Sequence, residues 1–201
     1  LRGLPRRADK GEHNRGPIVV VSGPPGSGKT TYARRLSKDL GLEYYTTGSI
    51  FRSIAKEKGM SIEELSRLAS SDPTIDLVID RRTINIALNT MSGIVIDSHL
   101  AAWILSRIAD VAVLVKADPL TRARRIGVRD GKSYSRALEE TFERETSQWD
   151  RFYKLYGIDI LDYTVFDLVV DSSVLGPEKI YSIIKSFVEE KLRLLGYGLP
   201  A

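Results

Sequence analysis

Ile18-Val19-Val20-Val21-Ser22-Gly23-Pro24-Pro25-Gly26-Ser27-Gly28-Lys29-Thr30 is the stretch on which the fold turns. Its first part is a β-branched run that can be buried on both faces, as a central parallel strand is. From Gly23 it matches G-x-x-x-x-G-K-[ST] in full, and a helical pattern from Lys29 to Leu40 follows, closed by Gly41. Strand, glycine-rich loop and helix in that order make a phosphate-binding loop, or P-loop. Glycines let successive backbone N–H groups turn inward on a phosphate, and the helix N-terminus adds its partial positive charge. Lys29 is expected at the β- and γ-phosphates of ATP and the Thr30 hydroxyl at Mg²⁺. Gly23, Pro24, Pro25, Gly26, Ser27, Gly28 and Thr31 complete the expected nucleotide cradle.

Outward from this unit, short apolar runs recur at Glu43–Thr46, Ile94–Asp97, Val111–Val115 and Leu168–Val170, separated by helix-length segments. That alternation predicts an α/β fold with a parallel sheet and crossover helices. The predicted helices span Gly48–Lys58, Ile62–Ser70, Pro73–Asn89, Pro119–Val128, Arg136–Tyr156 and Pro177–Leu195. With 201 residues and 42% hydrophobic content, one domain with one sizeable core is expected, over residues 17–195.

Charge is unevenly placed. Residues 1–16 carry five Arg/Lys against two Asp/Glu, three of the four net positive charges, so the body is close to neutral. A polar, aperiodic stretch of that kind reads as a disordered basic tail, with 196–201 as a second short tail, and nucleic acid is an unlikely partner. The chain opens on Leu1 rather than Met, which leaves room for a start upstream. It has no cysteine, which excludes disulfides and thiolate metal sites. No apolar run is long enough to span a bilayer, so a cytoplasmic, soluble monomer is expected. One Gln, three Asn and 28% charged residues resemble the usage of heat-adapted proteins.

Beyond the P-loop, Asp97 ends a strand at the edge where a nucleotide would sit, and two readings fit it: holding Mg²⁺ through water, or capping the helix that starts near His99. Arg122, Arg125 and Arg129 share a helical face leading to Gly131 and can close over ATP. On the next helix Phe142, Trp149, Phe152 and Tyr156 form an apolar stripe, which turns Arg144, Gln148 and Arg151 away from the core. Transferring a phosphoryl group requires several converging cations, which guanidinium forks supply in fixed geometry; the bland alternative is a solvated charged face. Between these elements, Thr47-Gly48-Ser49-Ile50-Phe51-Arg52 and Asp80-Arg81-Arg82 can grip an acceptor, with Arg52 and Arg81 on its phosphate and Phe51 against its base or sugar. Equally, Phe51 can be core and Arg81 surface.

From about Ile18 to Glu189 the chain resembles the archaeal-type cytidylate kinases. The likeness rests on GPPGSGKTTYARRLSKDLGL, on TTGSIFRSIAKEKGMSIEELSRLASSDPTIDLVIDRR and on ERETSQWDRFYKLYGIDILDYTVFDLVVDSS, the latter two being the more diagnostic. It implies a P-loop NTPase three-layer α/β/α fold with a five-stranded parallel sheet, a helical acceptor-binding insert at about 48–90 and a short lid at about 127–140. It also implies ATP with Mg²⁺, and CMP or dCMP as acceptor. By the family's motifs Arg52 is the acceptor-phosphate arginine, and Arg144 and Arg151 close on the phosphates; Lys29, Arg125, Arg129, Arg144 and Arg151 then form the catalytic set. Thr47, Gly48, Phe51, Arg52, Arg81, Asp97 and His99 form the acceptor set. Where relatives show a Gly-Arg pair after the strand acid, this chain has Ser98-His99, so an expected arginine is missing; His99 either replaces it as a donor, most effectively when protonated, or is an ordinary residue. Other acceptors on the same frame, a nucleotide-binding switch and an RNA-binding module remain as alternatives. The chain lacks the N-K-x-D of GTPases and the Gly-Phe-Pro-Arg segment of adenylate kinases.

Overall fold

A computed structural model describes residues 15–198. Five parallel strands, β1 (Ile18–Ser22), β2 (Glu43–Thr46), β3 (Ile94–Asp97), β4 (Val111–Lys116) and β5 (Leu168–Asp171), form one sheet in the order β2-β3-β1-β4-β5. β1 is central, with Val19 opposite Val95 on one side and Val111 on the other. Its full burial explains the unbroken β-branched run.

Alternate strand residues serve opposite layers. Val19, Val21, Val95, Val111 and Val113 pack with Leu36 of α1 (Lys29–Leu40) and Ile184 and Val188 of the last helix (Pro177–Leu194). Ile18, Val20, Ile94, Ile96 and Ala112 face Ala87, Trp103 and Phe152 on the other side. This is the three-layer arrangement that the family resemblance implied, built on the parallel sheet that alternation predicted. A fully buried leucine such as Leu36 contributes about 1.5–3 kcal/mol by area removed from water.

Three helices between β2 and β3 make the insert: α2 (Thr47–Glu57), α3 (Ile62–Ser71) and α4 (Thr74–Asn89). They have a small core of their own, Ala55, Leu65, Ala69, Ile75 and Ile79. A reciprocal capping box, Ser61 with Glu64, starts α3. After the short α5 (Ala101–Ile104) and β4, α6 (Pro119–Asp130) and α7 (Tyr134–Tyr156) form a helical hairpin joined by three residues. Asp118 caps α6 ahead of Pro119, Gly131 ends it in the left-handed conformation, and Ser133 caps α7. A 3₁₀ turn at Tyr163–Val165 leads into β5, and Pro177–Leu194 is α8.

Two expectations change. The aromatic stripe on α7 is buried only at its C-terminal half: Phe152 and Tyr156 pack on the core, but Phe142 and Trp149 are 49% and 42% exposed, whereas Gln148 and Arg151 are 8% and 6% exposed. Arg144, Gln148 and Arg151 therefore turn toward the insert and the cleft, because Arg151 finds a buried carboxylate partner in Asp76 of α4. Of the basic tail, residues 1–14 lie outside those described, while Arg15 is tied to Asp110 at 2.8 Å and to the Ile108 carbonyl at 3.0 Å. At the other end, Tyr197 packs against the α1/α8 core, and residues 199–201 lie outside those described.

Candidate active site

The P-loop runs from the end of β1 to the start of α1 and needs glycine where backbone meets backbone. Gly23 has φ +154°, and a Cβ there would sit 2.1 Å from the Val115 carbonyl oxygen. Gly28, with φ +93°, precedes α1 in a conformation that side chains rarely adopt. The loop is braced from the far side of the sheet. Ser172, just past β5, donates its hydroxyl to the Ser27 carbonyl at 2.7 Å. Arg125 donates to the Ser172 carbonyl at 2.6 Å and to its Oγ at 3.0 Å. Arg122 is buried, donating to the Ala117 carbonyl at 3.0 Å and pairing with Glu145 of α7. Arg122, which also donates to the Pro25 carbonyl at 3.4 Å, braces the loop and does not line the cleft, whereas Arg125 braces the loop and lines the cleft as well.

Below the loop opens a cleft of about 790 Å³ between sheet, insert and hairpin, within the range of small-molecule sites. Lys29, Arg52, Arg129 and Arg144 reach it from four different helices. Arg129 is held by Asp130 at 2.6 and 2.8 Å. Arg144 makes no hydrogen bond or ion pair among the described residues; burial lowers its affinity for a proton, and repulsion from Arg129, Arg151 and Arg52 is opposed by Glu63. Lys29 is pushed down to about 8, chiefly by burial and then by Arg144, Arg129 and Arg122, against the opposing pull of Asp97. Mutually repelling cations gathered in a cleft, Arg144 among them without a partner among the described residues, form a site suited to an anion. Arg151 lines the same cleft but is paired, its Nε 2.9 Å from Asp76 Oδ2 and its Nη1 donating to the Ser66 carbonyl at 3.1 Å.

Asp97 ends β3 beside Lys29. Its Oδ2 accepts from the Tyr44 hydroxyl at 2.9 Å, while Oδ1 is buried with no partner. It does not cap the following helix; the Ala101 amide there bonds the Ser98 hydroxyl at 3.3 Å. An orphaned carboxylate oxygen and the exposed Thr30 hydroxyl on one cleft wall fit Mg²⁺, which keeps most of its water and takes few protein ligands. Among the described residues no cluster of three or more acidic or histidine side chains forms a full cation cage.

At the acceptor end Thr47 donates its hydroxyl to Ser98 Oγ at 3.0 Å, fastening the insert to the end of β3. Gly48 leaves room for Arg52, whose guanidinium would lie 3.3 Å from a Cβ at that position. Phe51 serves both roles open to it, packing on the insert core and lining the cleft. Arg81 does not converge: it is exposed on the outer face of α4, in a shallow hollow with Val78, Arg82 and Asn85. His99 is in the cleft, yet not as a cation, because burial first and Lys29 next push it down to about 3. Its Nδ1 lies 2.8 Å from Gln148 Oε1, so Nδ1 carries the proton and Nε2 is left as an acceptor. A neutral imidazole in that tautomer does not replace the missing arginine. Sequence reasoning passed over Asp76 of α4 and the loop brace Ser172, gave Asp80 no role of its own within Asp80-Arg81-Arg82, and read Tyr156 only as part of an apolar stripe; the two aspartates at i, i+4 beside Ile75 and Ile79 were the available signal.

Comparisons with known proteins agree with this geometry. The model of the cytidylate kinase-like family matches residues 18–174. A cytidylate kinase of Aeropyrum pernix is 58% identical over 165 residues, 82% of this chain and 95% of the relative. One from Staphylothermus marinus is 47% identical over 88% of this chain and 98% of its own. Among solved structures, an uncharacterized protein from Eubacterium ventriosum superposes with a TM-score of 0.65 at 16% identity, covering 86% of this chain and 98% of its own. Shikimate kinase from Acinetobacter baumannii superposes with a TM-score of 0.55 at 13% identity over 89% and 97%, a likeness of fold alone. With the P-loop, the insert and the hairpin all inside the matched span, this chain belongs to the cytidylate kinase-like family.

Proposed function

We propose that the protein moves the γ-phosphoryl group of ATP onto CMP, and onto dCMP, giving ADP and the nucleoside diphosphate. The observation that carries this reading is Arg144, an unpartnered guanidinium facing the same cleft as Lys29 in a chain whose relatives are named cytidylate kinases. ATP sits with its phosphates on the P-loop amides, and Arg52 binds the acceptor phosphate from the insert. Thr30, and Asp97 through water, would hold Mg²⁺, which would supply charge neutralisation at the phosphates.

An acceptor phosphate oxygen attacks the γ-phosphorus in line; the new P–O bond forms as the bond to the β–γ bridging oxygen breaks, and ADP leaves with that electron pair. No general base is required, since a phosphate monoester with a second pKa near ~6 is already largely dianionic at neutral pH. Lys29, Arg129 and Arg144 stabilise the charge spread on the transferring oxygens. Insert and hairpin exclude water, which would otherwise hydrolyse ATP. Among the described residues no helix is long and apolar enough to cross a membrane; we place the enzyme in the cytoplasm as a monomer.

The test is coupled-assay transfer from Mg-ATP to CMP, dCMP, UMP, AMP and GMP, with Lys29→Ala as blank. Transfer to CMP and dCMP well above the other three is expected. ATP binding without transfer to any of the five refutes the proposal.

A further inference from the structure

The cleft has two ends of opposite charge. Its cations cluster at the P-loop, but the wall between α4 and α7 carries Asp76 and Asp80, four residues apart and so on one helical face. Phosphoryl transfer has no use for acids beside a dianionic acceptor. Asp76 is neutralised by Arg151. Asp80 has no such partner: its Oδ2 accepts from the Tyr156 hydroxyl, and its Oδ1 accepts from no group among the described residues. Burial, with the charge of Asp76 adding to it, pushes the Asp80 carboxyl up to about 7. A carboxyl group kept half-buried with one oxygen open is costly unless a donor meets it. Phe51, Ile79 and Phe152 line the same cleft and offer apolar surface to a flat ring.

We propose that Asp80 selects the base of the acceptor, its Oδ1 accepting a hydrogen bond from the exocyclic amino group of a cytosine ring while Tyr156 fixes the carboxyl through Oδ2. Above pH 7, where the Asp80 carboxyl is ionised, uracil presents a carbonyl oxygen at that position, and oxygen then faces oxygen with no hydrogen between them. Selection of an aminopyrimidine over an oxopyrimidine follows from that single contact, and a site with a polar group committed to one partner rejects the analogue that lacks it. The inference rests on the CMP reading above and adds the residue that enforces it.

Two measurements test it. Wild-type affinity for CMP, for UMP and for the monophosphate of the pyrimidin-2-one ribonucleoside, which lacks the amino group, is read by calorimetry without ATP. CMP is expected to bind roughly 10- to 100-fold more tightly than either, the range for a hydrogen bond to a charged group. The ratio of kcat/KM for CMP over UMP is then compared between wild type and Asp80→Asn, which keeps the size of the side chain and the bond from Tyr156 but turns an amide donor toward the ring. That ratio is expected to fall by a similar factor, with transfer to UMP held or improved. Equal binding of the three ligands by the wild type overturns the proposal whether or not the variant folds. So does a variant in which both substrates decline together with the ratio within about twofold of wild type. Failure of the CMP reading itself has a different signature: no transfer to CMP by the wild type, whatever the binding preferences show.

Discussion

Replacing Arg144 by alanine separates a side chain poised for a ligand from one that holds the fold. Arg144 makes no hydrogen bond or ion pair among the described residues, and repulsion from Arg129, Arg151 and Arg52 is opposed only by the attraction of Glu63. Its removal therefore costs the free enzyme little, and the melting temperature of Arg144→Ala is expected to stay within about 2 °C of wild type or to rise, a range that corresponds to less than ~1 kcal/mol in a domain of this size. Transition-state charge is where the loss falls: taking away one preorganised donor costs about 10²–10³ in turnover, or ~3–4 kcal/mol. Arg151→Ala should behave in the opposite sense for stability. It leaves Asp76 as an uncompensated buried charge, a change worth about 3–5 kcal/mol, or on the order of 10 °C. Differential scanning calorimetry alongside the coupled transfer assay reads both quantities on the same samples. If Arg144→Ala melts on the order of 10 °C lower while transferring within about tenfold of wild type, Arg144 is structural and the reasoning fails.

Two further predictions follow from the loop. Because Lys29 titrates at about 8 in the free enzyme and a polyphosphate favours its charged form, ATP affinity should be full below that pH and weaken as pH rises through it, by up to about tenfold per unit; a flat affinity profile between pH 7 and 9.5 would show that the ammonium is not engaged. Gly23→Ala places a methyl group 2.1 Å from the Val115 carbonyl at a φ that alanine resists, and should cost at least ~3 kcal/mol in urea unfolding; a midpoint equal to wild type would mean the loop has a conformation other than the one described.

Much of the molecule was legible because local chemistry and global position agree. β1 is buried on both faces and reads as unbroken Ile and Val; α1, α6 and α7 end at Gly41, Gly131 and Gly157, each in the left-handed conformation. α5 was read only as a helix starting near His99, without bounds, because four residues cannot display a period. The orientation of α7 was misread for a different reason: counting apolar residues places Trp149 inside and Arg151 outside, and only a long-range partner, Asp76, reverses that order. The same blindness hid Asp80, whose meaning depends on Tyr156, 76 residues away in the chain. Arg81 looked like a phosphate ligand from its motif, but α4 presents Asp80 to the cleft and Arg81 to solvent. Motif spacing gives residue types along a helix, whereas the face they occupy depends on what the helix packs against.

The brace from Ser172 to the Ser27 carbonyl joins residues 145 positions apart. The nucleotide motif precedes its support in the chain and is completed only when the final strand and Arg125 of α6, which grips Ser172, are in place. Closing so long a loop is slow relative to local structure. A partly synthesised or partly folded chain carries the full Gly23–Thr30 sequence yet lacks the scaffold that shapes it, so nucleotide binding is withheld until the whole sheet is assembled and doubles as a report that assembly is finished.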